Sequence, residues 1–390
     1  MIRRVSIALA VAVVLTLMAC AGWWIGRAID PRWTAADQRA ANIGAAQAAS
    51  RYFLDAYVEQ DGRVIRRDQG ADVVSEGQAY AMLITAGIGN QKRFESVWSW
   101  TKTQLLRPDG VLSWRWAGGA VVDANSAADA DIDAARALLI AGRRFQSAAF
   151  TADGNRLAAA VLNTETAAVG TAVAAPGGAV TPEGSGVAGT GRVLTAGNWA
   201  STAPYVVNPG YFSPRADADL FASSSDRRWN ELTRTQRIIG WELIGSHLLP
   251  PDWARVDAAG GAAASGLVSG GDPQFGLDAA RFPVRMAESC DPADRALAEA
   301  LRPMLTRVTD SPGIRRLDGT PAAKWQHPIA LVAQAAADKA DGDDTSALHR
   351  LDDASAIQGR YPTYYGAAWV ALGRIMLTTP LLGDCHPSAT

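Results

Sequence analysis

Glu76 lies in the run VSEGQAYAM (74–82), and further on DANSAADADID (123–133) sets Asp129 among small and amide side chains. A third acid, Asp278, stands in FGLDAARFPVRM (275–286), with Arg281 one turn beyond it. Glycosidic cleavage needs two carboxyl groups and no cofactor: one kept protonated for the leaving oxygen, one ionised to act from the other side. The chain also carries 13 Trp, whose flat faces suit sugar rings, and only 4 His. Dispersed acids with abundant indoles point to chemistry on a sugar polymer.

Each of these residues also has a structural reading. Glu76 beside Ser75 fits an acid in the first turn of a Ser-capped helix, and Ser126 to Asp129 has capping-box spacing. Asp129 and Asp133 are four apart and share a helix face, while Asp131 points elsewhere. The Asp-x-Asp-x-Asp spacing is similar to a calcium loop but lacks its central glycine and terminal glutamate. Arg281 is placed to keep Asp278 ionised, or simply to pair with it along a helix.

The elements that must position these acids are helical. Phe94, Trp98, Thr101 and Leu105 recur at three- and four-residue spacing until Pro108-Asp109-Gly110 turns the chain. The stretches 230–248, 330–339 and 367–377 have the same character, and no block reads as strand-rich. Trp98, Trp100, Trp241 and Trp369 are assigned to the core. Thr164 to Gly197 differs, being built from Ala, Gly, Thr and Val, and is expected to be a surface loop or irregular hairpin. Its GxGxxG match (184–189) follows Pro182-Glu183 and not a strand, which excludes a dinucleotide site.

Composition narrows the class further. The chain has 390 residues, 48% hydrophobic and 19% charged, with a formal net charge of −2, so a large core is available and no nucleic-acid footprint is seen. The His and the 3 Cys are too scattered for a metal site, and no cofactor is expected. Arg3 and Arg4 precede a nearly uncharged run, Val5 to Ile25, long enough to span a bilayer, followed by Trp23, Trp24 and Arg27 near the interface. Leu17-Met18-Ala19-Cys20 fits a lipobox. Anchor helix, lipoprotein at Cys20 and cleaved signal all export the rest, where Cys290 and Cys385 are free to form a disulfide. The reading divides the chain into an export or anchor segment (1–28), a helical spacer (29–47), a catalytic domain (48–382) and a tail (383–390).

Taken in order, the blocks DGRVIRRDQGADVVSEGQAYAM, VLSWRWAGGAVVDANSAADADIDAARALLIAGRRF, VVNPGYFSP, LPPDWARVD, FGLDAARFPVRM and YPTYYGAAW resemble glycoside hydrolase family 8. Within it they resemble the bacterial endoglucanases associated with cellulose synthesis. The resemblance implies an all-α (α/α)6 barrel with a cleft across its loop-bearing end, here with a Gly/Ala-rich loop insertion. Residue by residue it implies Glu76 as general acid, Asp278 as general base and Asp129 as the carboxylate contacting the sugar at the cleavage point. Trp116, Tyr211 and Arg281 are assigned to substrate binding, and Tyr364-Tyr365 fall in a matching block. Ala128 stands where the family pattern has a hydroxyl residue. The implied activity is endo-acting, inverting hydrolysis of β-1,4-glucan, with the cellulose-synthesis machinery as a possible partner. The alternatives are the same chemistry on chitosan, xylan or mixed-linkage glucan, or a non-catalytic glycan-binding envelope protein.

Overall fold

Apolar spacing of three and four residues produces helices wherever it was seen, and their burial sorts them into two layers. The computed structural model describes residues 34–170, 190–245, 248–266, 270–307 and 311–385. The anchor segment with Cys20, the spacer before Thr34 and the GxGxxG match lie outside these residues.

The inner helices are α2 (Ser75–Ile88), α4 (Ala128–Arg144), α6 (Pro214–Ser224), α8 (Arg281–Glu288), α11 (Pro328–Ala340) and α13 (Tyr364–Thr378). Each packs on the next, and α13 returns to α2, so they close a ring. The outer layer is α1 (Ala35–Tyr57), α3 (Gln91–Gln104), α5 (Ala148–Thr164), α7 (Arg228–Ile244), α9 (Pro292–Ala300) with the short α10 (Arg302–Thr306), and α12 (Asp344–Arg360). Alternation of inner and outer helices along the chain is the (α/α)6 barrel. Nearly every residue of α2, α4, α11 and α13 is buried, whereas outer helices bury one stripe, as Phe94, Val97, Trp98 and Thr101 do on α3.

Several local expectations need correction. Residues 35–47, read as a helical spacer, are helical and continue unbroken as the first half of α1; its capping box pairs Thr34 with Asp37, and the helix packs on α13. Trp241 is 38% exposed: the inward stripe of α7 runs through Gln236, Ile239, Gly240 and Leu243, and Trp241 falls between its rows. Trp98 and Trp369 are buried, and Trp100 is half-buried with its edge to Trp116.

Short antiparallel sheets occupy the loops that lead into inner helices. One joins β1 (Val73–Val74), β2 (Arg115–Ala117) and β3 (Ala120–Asp123). A second pairs β4 (Thr166–Gly170) with β5 (Thr190–Leu194), the stem of the Gly/Ala-rich insertion. The third joins β6 (Tyr205–Val207), β7 (Trp253–Val256) and β8 (Ala262–Ser265). The β4–β5 pair is the stem of a hairpin in the stretch expected to be a loop or irregular hairpin; the other strands, of two to four residues, are too short to show a period.

Candidate active site

The barrel turns the N-termini of its inner helices toward one mouth. Glu76 is the second residue of α2, Asp129 the second of α4, Tyr364 the first of α13, and Asp278 stands in the turn just before α8. Helix N-termini favour anions, so the backbone already suits carboxylates here. Neither serine caps in the expected way. The N-cap of α2 is Val74 and Ser75 Oγ is buried without a partner among the described residues; the N-cap of α4 is Ala127 and Ser126 Oγ turns to Asn198.

Arg281 gathers the three acids. Its Nη1 donates to Asp129 Oδ2 at 2.6 Å, to Glu76 Oε2 at 3.2 Å and to the Tyr80 hydroxyl at 3.1 Å, while Nη2 donates to Asp278 Oδ1 at 2.8 Å. The Tyr211 ring lies 4.9 Å from the guanidinium carbon. Arg281 is completely buried and holds the three carboxylates together. The Asp278–Arg281 pair is not a pair along a helix, since Asp278 precedes α8 and only Arg281 belongs to it.

The environments of the acids differ. Burial pushes Glu76 up to about 7; Arg281 opposes this, and the charges of Asp129 and Asp278 add to it. Tyr364 donates to Glu76 Oε1 at 3.4 Å. Gly77 permits that approach, since a Cβ there would lie 2.6 Å from the Tyr364 hydroxyl. Asp129 is also raised by burial against the pull of Arg281, and its Oδ1 has no protein partner among the described residues. Asp278 is the most open, with 34% of its side chain exposed.

Aromatic rings border the acids. Trp116 sits on β2 opposite Val73, directly upstream of α2, with Trp100 edge-on at 5.3 Å and the Arg63 guanidinium 5.9 Å from its ring. Tyr211, in the turn after β6, neighbours Trp253 at 6.3 Å, and Trp253 neighbours the exposed Trp199. Tyr365 donates to the carbonyl of Leu277, next to Asp278.

Asp131 does point elsewhere. Its Oδ1 accepts from Leu112 N at 2.8 Å, and it is held well above the usual carboxylate range by burial and by Glu165. Glu165, fully buried, is pushed up to about 8 by its own burial. Asp133, one turn below Asp129, pairs with Arg285, one turn below Arg281. Arg136, lower still, pairs bidentately with Glu288 at 2.8 and 3.1 Å and with Asp219 at 2.9 Å. The i, i+4 spacing of acids on α4 thus meets the same spacing of arginines on α8, forming rungs across the interior.

Three residues escaped the sequence reading. Tyr80 follows Glu76 by one turn, a visible same-face signal. Tyr364 was noted without a role. Asp252, in LPPDWARVD, holds the backbone around Asp278, a relation that no local pattern could signal.

A cavity of about 520 Å³ lies at the opposite end of the barrel, lined by the ends of α8 and α13 and by Arg39, Arg215, Arg295 and Lys339. The carboxylates belong instead to the open mouth.

A family model described as Glycosyl hydrolases family 8 matches residues 31–310. A probable endoglucanase of Novacetimonas hansenii is 30% identical over 331 residues, covering 82% of this chain and 87% of that protein. The solved endo-beta-1,4-glucanase CMCax from Acetobacter xylinum superposes with a TM-score of 0.68 at 25% identity, over 85% of this chain and 97% of that one. A beta-1,3-1,4-glucanase from Paenibacillus sp. X4 superposes with a TM-score of 0.72 at 17% identity, over 87% and 92%, a likeness of fold alone.

Proposed function

The chain belongs to glycosyl hydrolase family 8, and on that premise we propose that it is an endo-acting β-1,4-glucanase that inverts the anomeric centre. The observation that carries this reading is one buried guanidinium gathering three carboxylates, one of which burial pushes up to about 7. A single positive charge cannot neutralise three negative ones, so one acid keeps its proton near neutrality.

In this reading Glu76 delivers its proton to the leaving glycosidic oxygen. Asp278, ionised and open to solvent, takes a proton from the water that attacks the anomeric carbon. Inverting enzymes hold their two carboxyls roughly 6.5–9.5 Å apart to leave room for that water. Asp129 Oδ1, buried and lacking a protein partner, accepts from a hydroxyl of the sugar at the cleavage point. Trp116 and Tyr211 supply ring faces, and Arg281 donates hydrogen bonds to both Asp129 and Asp278. The name of the A. xylinum protein supports β-1,4-glucan as the polymer, and that of the N. hansenii protein supports an endo-acting glucanase.

The test is proton NMR of a β-linked oligosaccharide digest, run with a panel of β-1,4-glucan, chitosan, xylan and mixed-linkage glucan. The α-anomer should appear first from β-1,4-glucan. First appearance of the β-anomer rules out inversion, and a preference for another polymer reassigns the substrate.

The same reading places the enzyme outside the cytoplasm. Cys290 and Cys385 are joined in a disulfide, which suits an oxidising compartment. No helix among the described residues is long and apolar enough to cross a membrane, so retention would rest on Val5 to Ile25 or on a lipidated Cys20. Fractionation of wild type and Cys20→Ser separates these routes. Soluble wild type beginning near residue 30 would refute both.

A further inference from the structure

Glu76 and Asp129 are held by the first turns of long helices. Asp278 is not: it stands in a non-helical turn, residues 277–280, between a loop and the short α8. Something else must fix it, since a misplacement of about 1 Å costs on the order of 10²-fold in rate.

Asp252 brackets that turn. It is a buried residue just ahead of β7, and its Oδ1 accepts from Gly276 N at 3.0 Å and from Ala279 N at 2.8 Å, one donor on each side of Asp278. Its Oδ2 accepts from Gln274 Nε2 at 3.1 Å, and its own N–H donates to the Gln274 carbonyl at 2.8 Å. Gly276 is needed for this approach, because a Cβ there would lie 2.3 Å from Asp252 Oδ2. On the other side Gly210 lets the Tyr211 turn press on the Asp278 carbonyl, which a Cβ would meet at 2.1 Å.

A second carboxylate beside Asp278 is costly for the fold. Burial, with the charge of Asp278, raises Asp252 to about 6. A charged acceptor in that position is explained by the strength with which it holds N–H groups, not by favourable charge pairing.

We propose that Asp252 is a positioning residue of the active site: by accepting N–H bonds on both sides of Asp278, it aims that carboxylate into the cleft. The inference rests on the reading of Asp278 as the base.

Asp252→Ala and Asp252→Asn are compared with wild type on a soluble β-1,4-glucan, with circular dichroism to check folding. Asp252→Ala should lower kcat on the order of 10²-fold with KM nearly unchanged, because the turn moves while the rest of the cleft stays. Asp252→Asn should recover most of that loss, since its carboxamide oxygen still accepts both N–H groups. A folded Asp252→Ala with wild-type kcat overturns the proposal, as does an Asn variant no better than Ala. If Asp252→Ala does not fold, Gly276→Ala decides: its methyl displaces the turn while Asp252 keeps its charge. A comparable kcat loss then supports the proposal, and wild-type kcat refutes it. Wild type inactive on every β-glucan would instead sink the functional reading, whatever the variants do.

Discussion

The mouth of the barrel and the rungs beneath it use the same residue types to opposite ends. At the mouth Arg281 pairs with Glu76, Asp129 and Asp278, and Arg66, engaged with Asp72, adds only a weaker pull on Glu76. Below it Arg285 pairs with Asp133, and Arg136 and Arg215 share Glu288 and Asp219. The lower groups are matched charge for charge; Asp133, Arg285 and Arg136 are closed from water, while Arg215 and Asp219 are partly exposed. The upper ones are short of positive charge, and one side opens to the cleft. The same carboxyl chemistry is therefore structural where it is neutralised and available for proton transfer where it is not.

The largest expected effect separates the two levels directly. Glu76→Gln should lower kcat by ~10²–10⁴, the range of a general acid's contribution, while the fold persists. Glu288→Gln, at the lower level, should leave kcat near wild type but depress the melting temperature, because Arg136 loses a charged partner. Initial rates and thermal melts on both variants check this. Equal kcat losses would erase the distinction.

Next comes the energy of a closed rung. Arg285→Met should destabilise by about 3–5 kcal/mol in urea unfolding, since it strands the buried Asp133. Adding Asp133→Leu should restore much of the loss, as apolar replacement of a whole buried pair is often neutral. No recovery in the double variant would mean that the rung does more than balance charge.

The disulfide closes the end of the barrel away from the mouth, across a separation of 95 residues. Its reduction should cost roughly 2–4 kcal/mol of stability and leave kcat unchanged. Thiol labelling of the unreduced protein should find neither Cys290 nor Cys385. Loss of activity on reduction would tie that end to the mouth.

The smallest effects are in pH dependence. As the proposed acid Glu76 acts in its protonated form, so on that proposal kcat should fall as pH rises through about 7. Glu165 is raised from 4.5 to about 8 by burial, so the folded state holds its proton more tightly than the unfolded chain does. Its stabilising contribution is complete below 4.5 and is lost as pH rises through about 8. The melting temperature should decline across that window, and Glu165→Gln should flatten the decline. An unchanged slope would show that Glu165 titrates normally.

Much of this site was legible in the chain. Glu76, Asp129, Asp278 and Arg281 took their roles from the resemblance to family 8 and not from composition or spacing, and the structure brings them together through the guanidinium of Arg281. Phe94, Trp98 and Thr101 mark a helix by spacing alone. Trp241 was misread because an indole in an apolar helix looks like core until the inward stripe is known. Tyr364 and Asp252 could not be assigned because their partners, Glu76 and the turn around Asp278, are remote in sequence or bonded through backbone.

By itself the sequence determined the helices, the acids in their first turns and the twin i, i+4 ladders on α4 and α8, because these are local periodicities written in side-chain type. Only the tertiary structure decided which acid keeps its proton. That depends on closing the ring, which buries Arg281 among three carboxylates, half-buries Glu76 and leaves Asp278 the most open to the cleft. Burial and charge coupling act through space, so no spacing along the chain could carry them.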